Sequence, residues 1–327
     1  MQVRGLRLTL LTVLAALALG EPAVSQEWPR RPVRVIVPFA AGGNSDEVAR
    51  LIAQHLKATF NQQFVVENRS GAAGAIAAEA VARSPADGYT LLLASLPLIA
   101  ITPAATKTSF DPVKDFAPIS AIGTNPLVLA VDPRLPVRSV GDFVAYAGER
   151  RGRLTYAAAG VGSITHLAMT LFLKRSGIEM TAVMYKGGSS NLTDVIAGRV
   201  TAGFPNISTI LPYAASDMLR PLAVSSVRRA PQLAAVPTLA EAGYPGIDVL
   251  NWTGLMAPVG TPQRIVARIA QDVAQATKDP RIVELMTANG VDPLGNTPEE
   301  FAAMIASDIP LWAEAVRGAG IAEKQNQ

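Results

Sequence analysis

The chain has 327 residues, no cysteine, two histidines and a formal net charge of +3, and 49% of its residues are hydrophobic. This composition excludes disulfides, thiolate catalysis and cysteine-ligated metals, makes a transition-metal site an unlooked-for feature with so few histidines, and lacks the basic excess of a nucleic-acid binder. The length suits a large core divided between two lobes, because single cores stop growing at about 250–300 residues.

Arg4 and Arg7 precede an apolar run from Leu8 to Leu19, followed by the small residues Ala23-Val24-Ser25. This is the pattern of a secretory signal peptide, and the run falls short of the about 20 apolar residues of a spanning helix. Residues 1–25 are read as a leader, with the mature, exported chain starting near Gln26.

The first folded unit is the most informative. Val33, Val35, Ile36 and Val37 form a β-branched run suited to a buried strand, and Gly42-Gly43 allows a tight turn. An amphipathic helix follows, with Asn44 or Ser45 as its expected cap, Asp46 and Glu47 in its first turn, and Val48, Leu51, Ile52 and Leu56 on one face. A helix start directed at a glycine turn is an anion site in outline, since free amides and the helix dipole both favour negative charge.

Strand and helix patterns then alternate. A strand at Phe64-Val65-Val66-Glu67-Asn68 leads through the small-residue loop Ser70 to Gly74 into a helix from Ala75 to Arg83, and Thr90 to Ser95 reads as a buried strand. Phe116 to Val131 is a long extended segment broken at Asn125-Pro126, where a lobe boundary is expected. The second lobe repeats the alternation: helix Val140 to Glu149, strand Leu154 to Ala158, helix Ser163 to Arg175, strand Ala182 to Tyr185, helix Leu192 to Ala197, and strands Val200 to Phe204 and Leu222 to Ser226. Val249 to Met256 is a second extended segment, read as the return crossing. Helices follow over Pro262 to Thr277, Pro280 to Ala288 and Pro298 to Val316, with Thr261 and Thr297 as expected caps and Gly290 and Gly318 as stops. The fold class is α/β: two lobes with mostly parallel sheets, joined by two crossing strands and able to close on a ligand. The expected division is residues 26–125 plus 250–327 for lobe 1 and 126–249 for lobe 2.

In the second lobe, Tyr156 to His166 (YAAAGVGSITH) repeats the first motif's logic, with Gly160 and Gly162 before Ser163 as a helix cap. It lacks the third glycine and the acidic residue of a dinucleotide fingerprint. Ser163 and His166 share a helix face, but no G-x-S-x-G elbow or orienting group accompanies them, so a nucleophile and base are not expected here. Lys186, at a strand tip beside Gly187, is placed to balance an anionic solute. Asn206 and Ser95 each end a strand, where ligands of parallel sheets collect.

W-P-x-R-P-V-R-V-I-V-P-F-A-x-G-G-x-x-D from Trp28 to Asp46, V-V-E-N-R from Val65 to Arg69 and A-D-G-Y-T-L-L-L from Ala86 to Leu93 make the chain similar to the Bug/TctC family. Y-K-G at Tyr185 to Gly187, V-P-T-L-A-E-A-G-Y-P-G from Val236 to Gly246 and A-P-x-G-T-P from Ala257 to Pro262 extend the resemblance over essentially the whole mature chain. The resemblance implies a type II periplasmic-binding-protein-like fold. It also implies a monomeric periplasmic receptor, without cofactor or catalysis, that captures a small carboxylated solute for the permease subunits of a tripartite tricarboxylate transporter. A sensor for a membrane signalling partner, or an enzyme acting on an organic acid, is the alternative. Carried onto this chain, the carboxylate loop is Phe39, Ala40, Ala41, Gly42, Gly43, Asn44, Ser45 and Asp46. The opposite wall comes from Ser95, Gly160, Gly162, Ser163, Thr165, His166, Lys186, Gly187 and Asn206. The chain departs from the family pattern at Ala41, where proline commonly stands, at Ser70 and Ala73, and at Pro205, in the place of a common aspartate. The last change bears on how a ligand's far end is satisfied.

Overall fold

The computed structural model describes residues 28–42, 44–185 and 190–321. Residues 1–25, expected to be a leader, lie outside the described residues, as do Gly43, Lys186 and Gly187.

The first lobe is built on a sheet whose strands lie in the order β11-β4-β10-β3-β1-β2. They are β1 (Val33–Val37), β2 (Phe64–Asn68), β3 (Thr90–Ser95), β4 (Phe116–Pro126), β10 (Leu250–Pro258) and β11 (Asp292–Pro293). Strand β1 pairs in parallel with β2 and β3, and β10 is antiparallel to both β3 and β4, so β4 points the same way as the first three. All six residues of β3 are buried, as a strand covered on both faces requires. The covering helices of this lobe are α1 (Asn44–Phe60), α2 (Ala75–Ala82), α3 (Thr102–Ala105), α8 (Gln263–Ala276), α9 (Pro280–Ala288) and α10 (Pro298–Gly318).

The second sheet runs β7-β6-β8-β5-β9. Its strands are β5 (Val128–Val131), β6 (Thr155–Ala158), β7 (Thr181–Met184), β8 (Ala202–Gly203) and β9 (Arg220–Val224), with α4 (Val140–Gly148), α5 (Ile164–Ser176), α6 (Ser190–Ile196) and α7 (Ile207–Ala215). Strand β6 is parallel to β7 and β8, while β5 is antiparallel to β8 and β9. The mixed α/β fold with two mostly parallel sheets therefore holds, β5 alone in the second sheet opposing its neighbours.

Several local expectations are corrected. Helix α1 begins at Asn44 itself, so Asn44 and Ser45 lie in its first turn and not before it. Thr261 does not cap α8, whose cap position is Pro262; the Thr261 hydroxyl turns back to the Pro258 carbonyl at 2.7 Å. Thr297 does cap α10, in a reciprocal box with Glu300. The long extended segment breaks at Leu127, after Pro126, and the expected strand Val200 to Phe204 shrinks to Ala202–Gly203, with Pro205, which cannot donate to a ladder, just past its C-terminal end.

The crossing strands are bolted together. Ser225, fully buried, accepts a hydrogen bond at its hydroxyl from the Leu127 amide (2.9 Å) and donates to the Val249 carbonyl (2.5 Å). Its own amide donates to the Leu127 carbonyl at 2.9 Å. One hydroxyl thus ties the outgoing strand to the returning one, where an unsatisfied polar group would cost ~1–3 kcal/mol.

Topology fixes where a ligand can sit. Strand β4 leaves the first sheet at its C-terminal edge and becomes β5, so the second sheet lies beyond that edge. Because β8 is antiparallel to β5, the bridge from Leu127 to Asn206 puts the C-terminal ends of β6 and β8 on the hinge side as well. The C-terminal edges of the two parallel sets therefore face each other across the crossing strands, the position at which open α/β sheets hold ligands.

Candidate functional site

The first loop, between β1 and α1, is braced by a buried carboxylate. Asp46 is 3% exposed and its Oδ2 accepts from the Gly42 amide (2.9 Å) and from Arg50 Nε (2.9 Å), while its Oδ1 accepts from Asn68 Nδ2 (2.9 Å). Asn68 Nδ2 also donates to the Phe39 carbonyl at 3.1 Å. The hydrogen bond from Arg50 is the main reason the Asp46 carboxyl is held at about 2, with the Gly42 amide and Asn68 assisting and burial opposing. Both Asp46 oxygens are engaged in organising the loop. Gly42 has φ +81° and nothing lies within 4 Å of where a Cβ would stand, so the glycine is needed for its backbone and borders open space.

The second loop, between β6 and α5, is braced from within. The Ala159 amide donates to Thr165 Oγ1 (3.0 Å), the Thr165 and Ser163 hydroxyls share a hydrogen bond (3.0 Å), and Ser163 caps the helix by accepting from the His166 amide (3.3 Å). The Gly162 amide donates to His166 Nδ1 at 3.2 Å, so the imidazole is neutral with its proton on Nε2. Burial pushes its pKa below the ordinary value, in the same direction. The ring stacks on Tyr156, with centroids 6.3 Å apart. Ser163 serves as a helix cap and His166 as an acceptor, which leaves neither arranged as nucleophile and base. The amides of Ile164 and Thr165, in the first turn of α5, have no acceptor among the described residues. Gly162 approaches the first lobe closely: a Cβ there would stand 3.7 Å from both Ala105 and Ile321.

Two strand-end residues carry unspent polar atoms. Ser95, last in β3 and 2% exposed, has a hydroxyl without a partner among the described residues. Asn206 occupies the cap position of α7 yet makes no side-chain cap bond, and its buried Oδ1 is also unpartnered. Buried polar atoms of this kind are uncommon and call for a partner such as a ligand or water. Ser95 pairs with Thr253 on β10 and Asn206 bridges Leu127, so both flank the crossing strands.

The structure thus braces Phe39, Gly42 and Asp46 together in one loop and gathers Gly160 to His166 into another, with Ser95 and Asn206 beside the crossing strands; Gly43, Lys186 and Gly187 lie outside the described residues. Asn68 and Arg50 escaped the sequence reading. The i,i+4 spacing of Asp46 and Arg50 was a signal for the second; Asn68 becomes visible only once the β1–β2 register is known. Among the described residues no cluster of three or more His, Asp or Glu is placed to hold a metal ion.

A family model described as "Tripartite tricarboxylate transporter family receptor" matches residues 48–321. Protein BugT of Bordetella pertussis is 36% identical over 309 residues, covering 94% of this chain and 95% of that one. Among solved structures, R. palustris Rpa4515 with adipate is similar at a TM-score of 0.80 and 38% identity, covering 90% of this chain and 99% of that one. MatC from Rhodopseudomonas palustris with bound malate is similar at a TM-score of 0.75 and 31% identity, covering 88% of this chain and all of that one. With its two facing strand edges and its full-length likeness to these proteins, the chain belongs to the tripartite tricarboxylate transporter receptor family, the Bug/TctC solute-binding proteins.

Proposed function

We propose that this protein is a periplasmic receptor that closes its two lobes, residues 26–125 plus 250–327 and residues 126–249, on a small carboxylated solute and presents it to the permease subunits of a tripartite tricarboxylate transporter. It does so as a monomer and without chemical change to the solute. One carboxylate is taken by amides of the Phe39 to Asp46 loop, and the rest of the solute meets the first turn of α5 from Gly160 to His166, the Ser95 hydroxyl and the Asn206 carboxamide. Lys186 and Gly187 complete the second-lobe wall in this reading.

The observation that carries the reading is the pair of unpartnered buried atoms, Ser95 Oγ and Asn206 Oδ1, at the two strand edges that face each other. Adipate and malate in the two R. palustris relatives support a carboxylate as the guest. Oriented amides with a helix dipole bind such a group without a basic side chain. With Asp46 internally engaged and His166 neutral, the described walls offer a solute hydrogen-bonding groups more than charge.

A thermal-shift screen of dicarboxylates, tricarboxylates, amino acids and aromatic acids tests the function, because a ligand that binds only the folded state raises Tm with concentration. At least one acid should stabilise the protein and be recovered unchanged after long incubation. Stabilisation by non-acidic compounds alone would overturn the carboxylate reading, and recovery of a converted product would overturn the receptor reading.

A further inference from the structure

The first loop depends on a side chain that belongs to neither the loop nor its helix. We propose that Asn68 is the positioning residue of the carboxylate loop, with Arg50 as the counter-ion that keeps the buried Asp46 from repelling an anion. The inference rests on the reading of the Phe39 to Asp46 loop as a solute site.

Asn68 is the last residue of β2, and the pairing of Val37 with Asn68 sets it beside the point where the chain leaves β1. Its carboxamide uses both hydrogens and its oxygen. Nδ2 donates to the Phe39 carbonyl (3.1 Å) and to Asp46 Oδ1 (2.9 Å), and Oδ1 accepts from an Arg50 guanidinium nitrogen (3.2 Å). Two donors and one acceptor in so short a side chain are the property of a carboxamide; an aspartate would turn acceptors toward two other acceptors. Asp46 then holds the Gly42 amide, and no other hydrogen bond from a described residue holds that glycine. Asn68 therefore fixes the loop at its entrance and, through Asp46, at its tip.

Arg50 answers an electrostatic problem. A carboxylate within an anion loop would oppose an incoming carboxylate, and the Arg50 Nε at 2.9 Å neutralises it one helical turn away. An independent feature points toward a ligand at this loop. The β1–β3 register pairs Ile36 with Leu92, and β3 runs on three residues to Ser95, so the unpartnered Ser95 hydroxyl lies past Val37, the end of β1, on the side where the first loop begins.

The test uses the mature protein, with adipate as probe, and compares wild type with Asn68→Ala and Asn68→Asp. Two quantities are read: hydrogen exchange of the Gly42 amide in the ligand-free protein, and adipate affinity. Asn68→Ala should speed Gly42 exchange by about tenfold or more and weaken adipate by a similar factor, while exchange in the α5 first turn stays as in wild type. A loss that was merely structural would speed exchange in both loops. Asn68→Asp should bind adipate more weakly still at pH 7 and recover part of the loss toward pH 5, as the introduced carboxyl takes a proton and regains a donor. Unchanged Gly42 exchange in Asn68→Ala would overturn the positioning role. If wild type binds neither adipate nor any other acid of the screen, the carboxylate reading fails, and Gly42 exchange still decides whether Asn68 holds the loop.

Discussion

The two glycine-bearing loops look alike in sequence and are built differently. The first is held from outside, by Asn68 from the next strand and by a charged pair, Asp46 with Arg50. The second is held by its own residues, with Thr165, Ser163 and His166 each returning a polar atom to the turn they belong to. A loop braced across strands is set when the sheet forms and depends on ionised partners; a self-braced loop depends on neutral hydrogen bonds alone. The first should therefore tolerate mild acid and fail on loss of one distant residue, and the second should show the reverse.

The largest expected effect is at the first loop's tip. In Gly42→Val a β-branched residue is forced toward φ +81°, at ~2 kcal/mol of strain. Since open space surrounds the position, the loop relieves the strain by moving. Calorimetric titration should show solute affinity lower by about thirtyfold or more, the equivalent of that strain, with the ligand-free Tm lowered by only a few degrees. Unchanged affinity would remove this loop from the site.

Thr165→Val should come next. It deletes the acceptor for the Ala159 amide and the partner of Ser163, hydrogen bonds worth ~1–2 kcal/mol together. Chemical denaturation should show that loss of stability, and exchange at the first loop should not change. Coupled loosening of both loops would contradict their independence.

Ser95→Ala should separate binding from stability. Removing an unpartnered buried hydroxyl should leave the ligand-free protein as stable as wild type or slightly more so, while solute affinity falls by about fivefold, the equivalent of ~1 kcal/mol. A stability loss without an affinity loss would mean that the hydroxyl serves the core.

The smallest effect is a difference in pH response. Burial holds the His166 pKa below its ordinary 6.5, so the unfolded chain takes up the proton first and stability is lost as pH falls from about 6.5 toward the folded value. The stability that Asp46 contributes is present above its unfolded value of about 3.9 and is lost only as pH falls toward about 2. Between pH 7.5 and 5.5, wild type should therefore lose more Tm than His166→Asn, which keeps an acceptor for Gly162 without the titration. Identical slopes would show that the imidazole does not become charged on unfolding in that range.

This contrast also explains what the sequence disclosed. Self-contained features were legible: β1, the Ser163 cap, the Thr297 cap and each of the two extended crossing segments rest on residues close together in the chain. Features that need register were not, and Asn68 is the plain case, since its partners Phe39 and Asp46 lie 29 and 22 residues away. The helical stretch Pro97–Ile101 with α3 went unread because it is buried, with no polar face to give it a period, and because its prolines look like breakers although a helix's first turn tolerates them. Helix α7 was hidden by Pro212, which stands inside the helix beyond its first turn and reads as a breaker. Within the site, the residue types at Ser95 and Asn206 were readable, but their unspent hydrogen-bonding atoms required coordinates.

In the proposed closed state one carboxylated solute is held by both loops at once. Titrating ¹⁵N-labelled protein with the acid that stabilises it most tests this directly. Amides from Ala40 to Ser45 and from Val161 to Thr165 should shift together, saturating at one solute per protein. Saturable binding that moved only one of these loops, or neither, would contradict it.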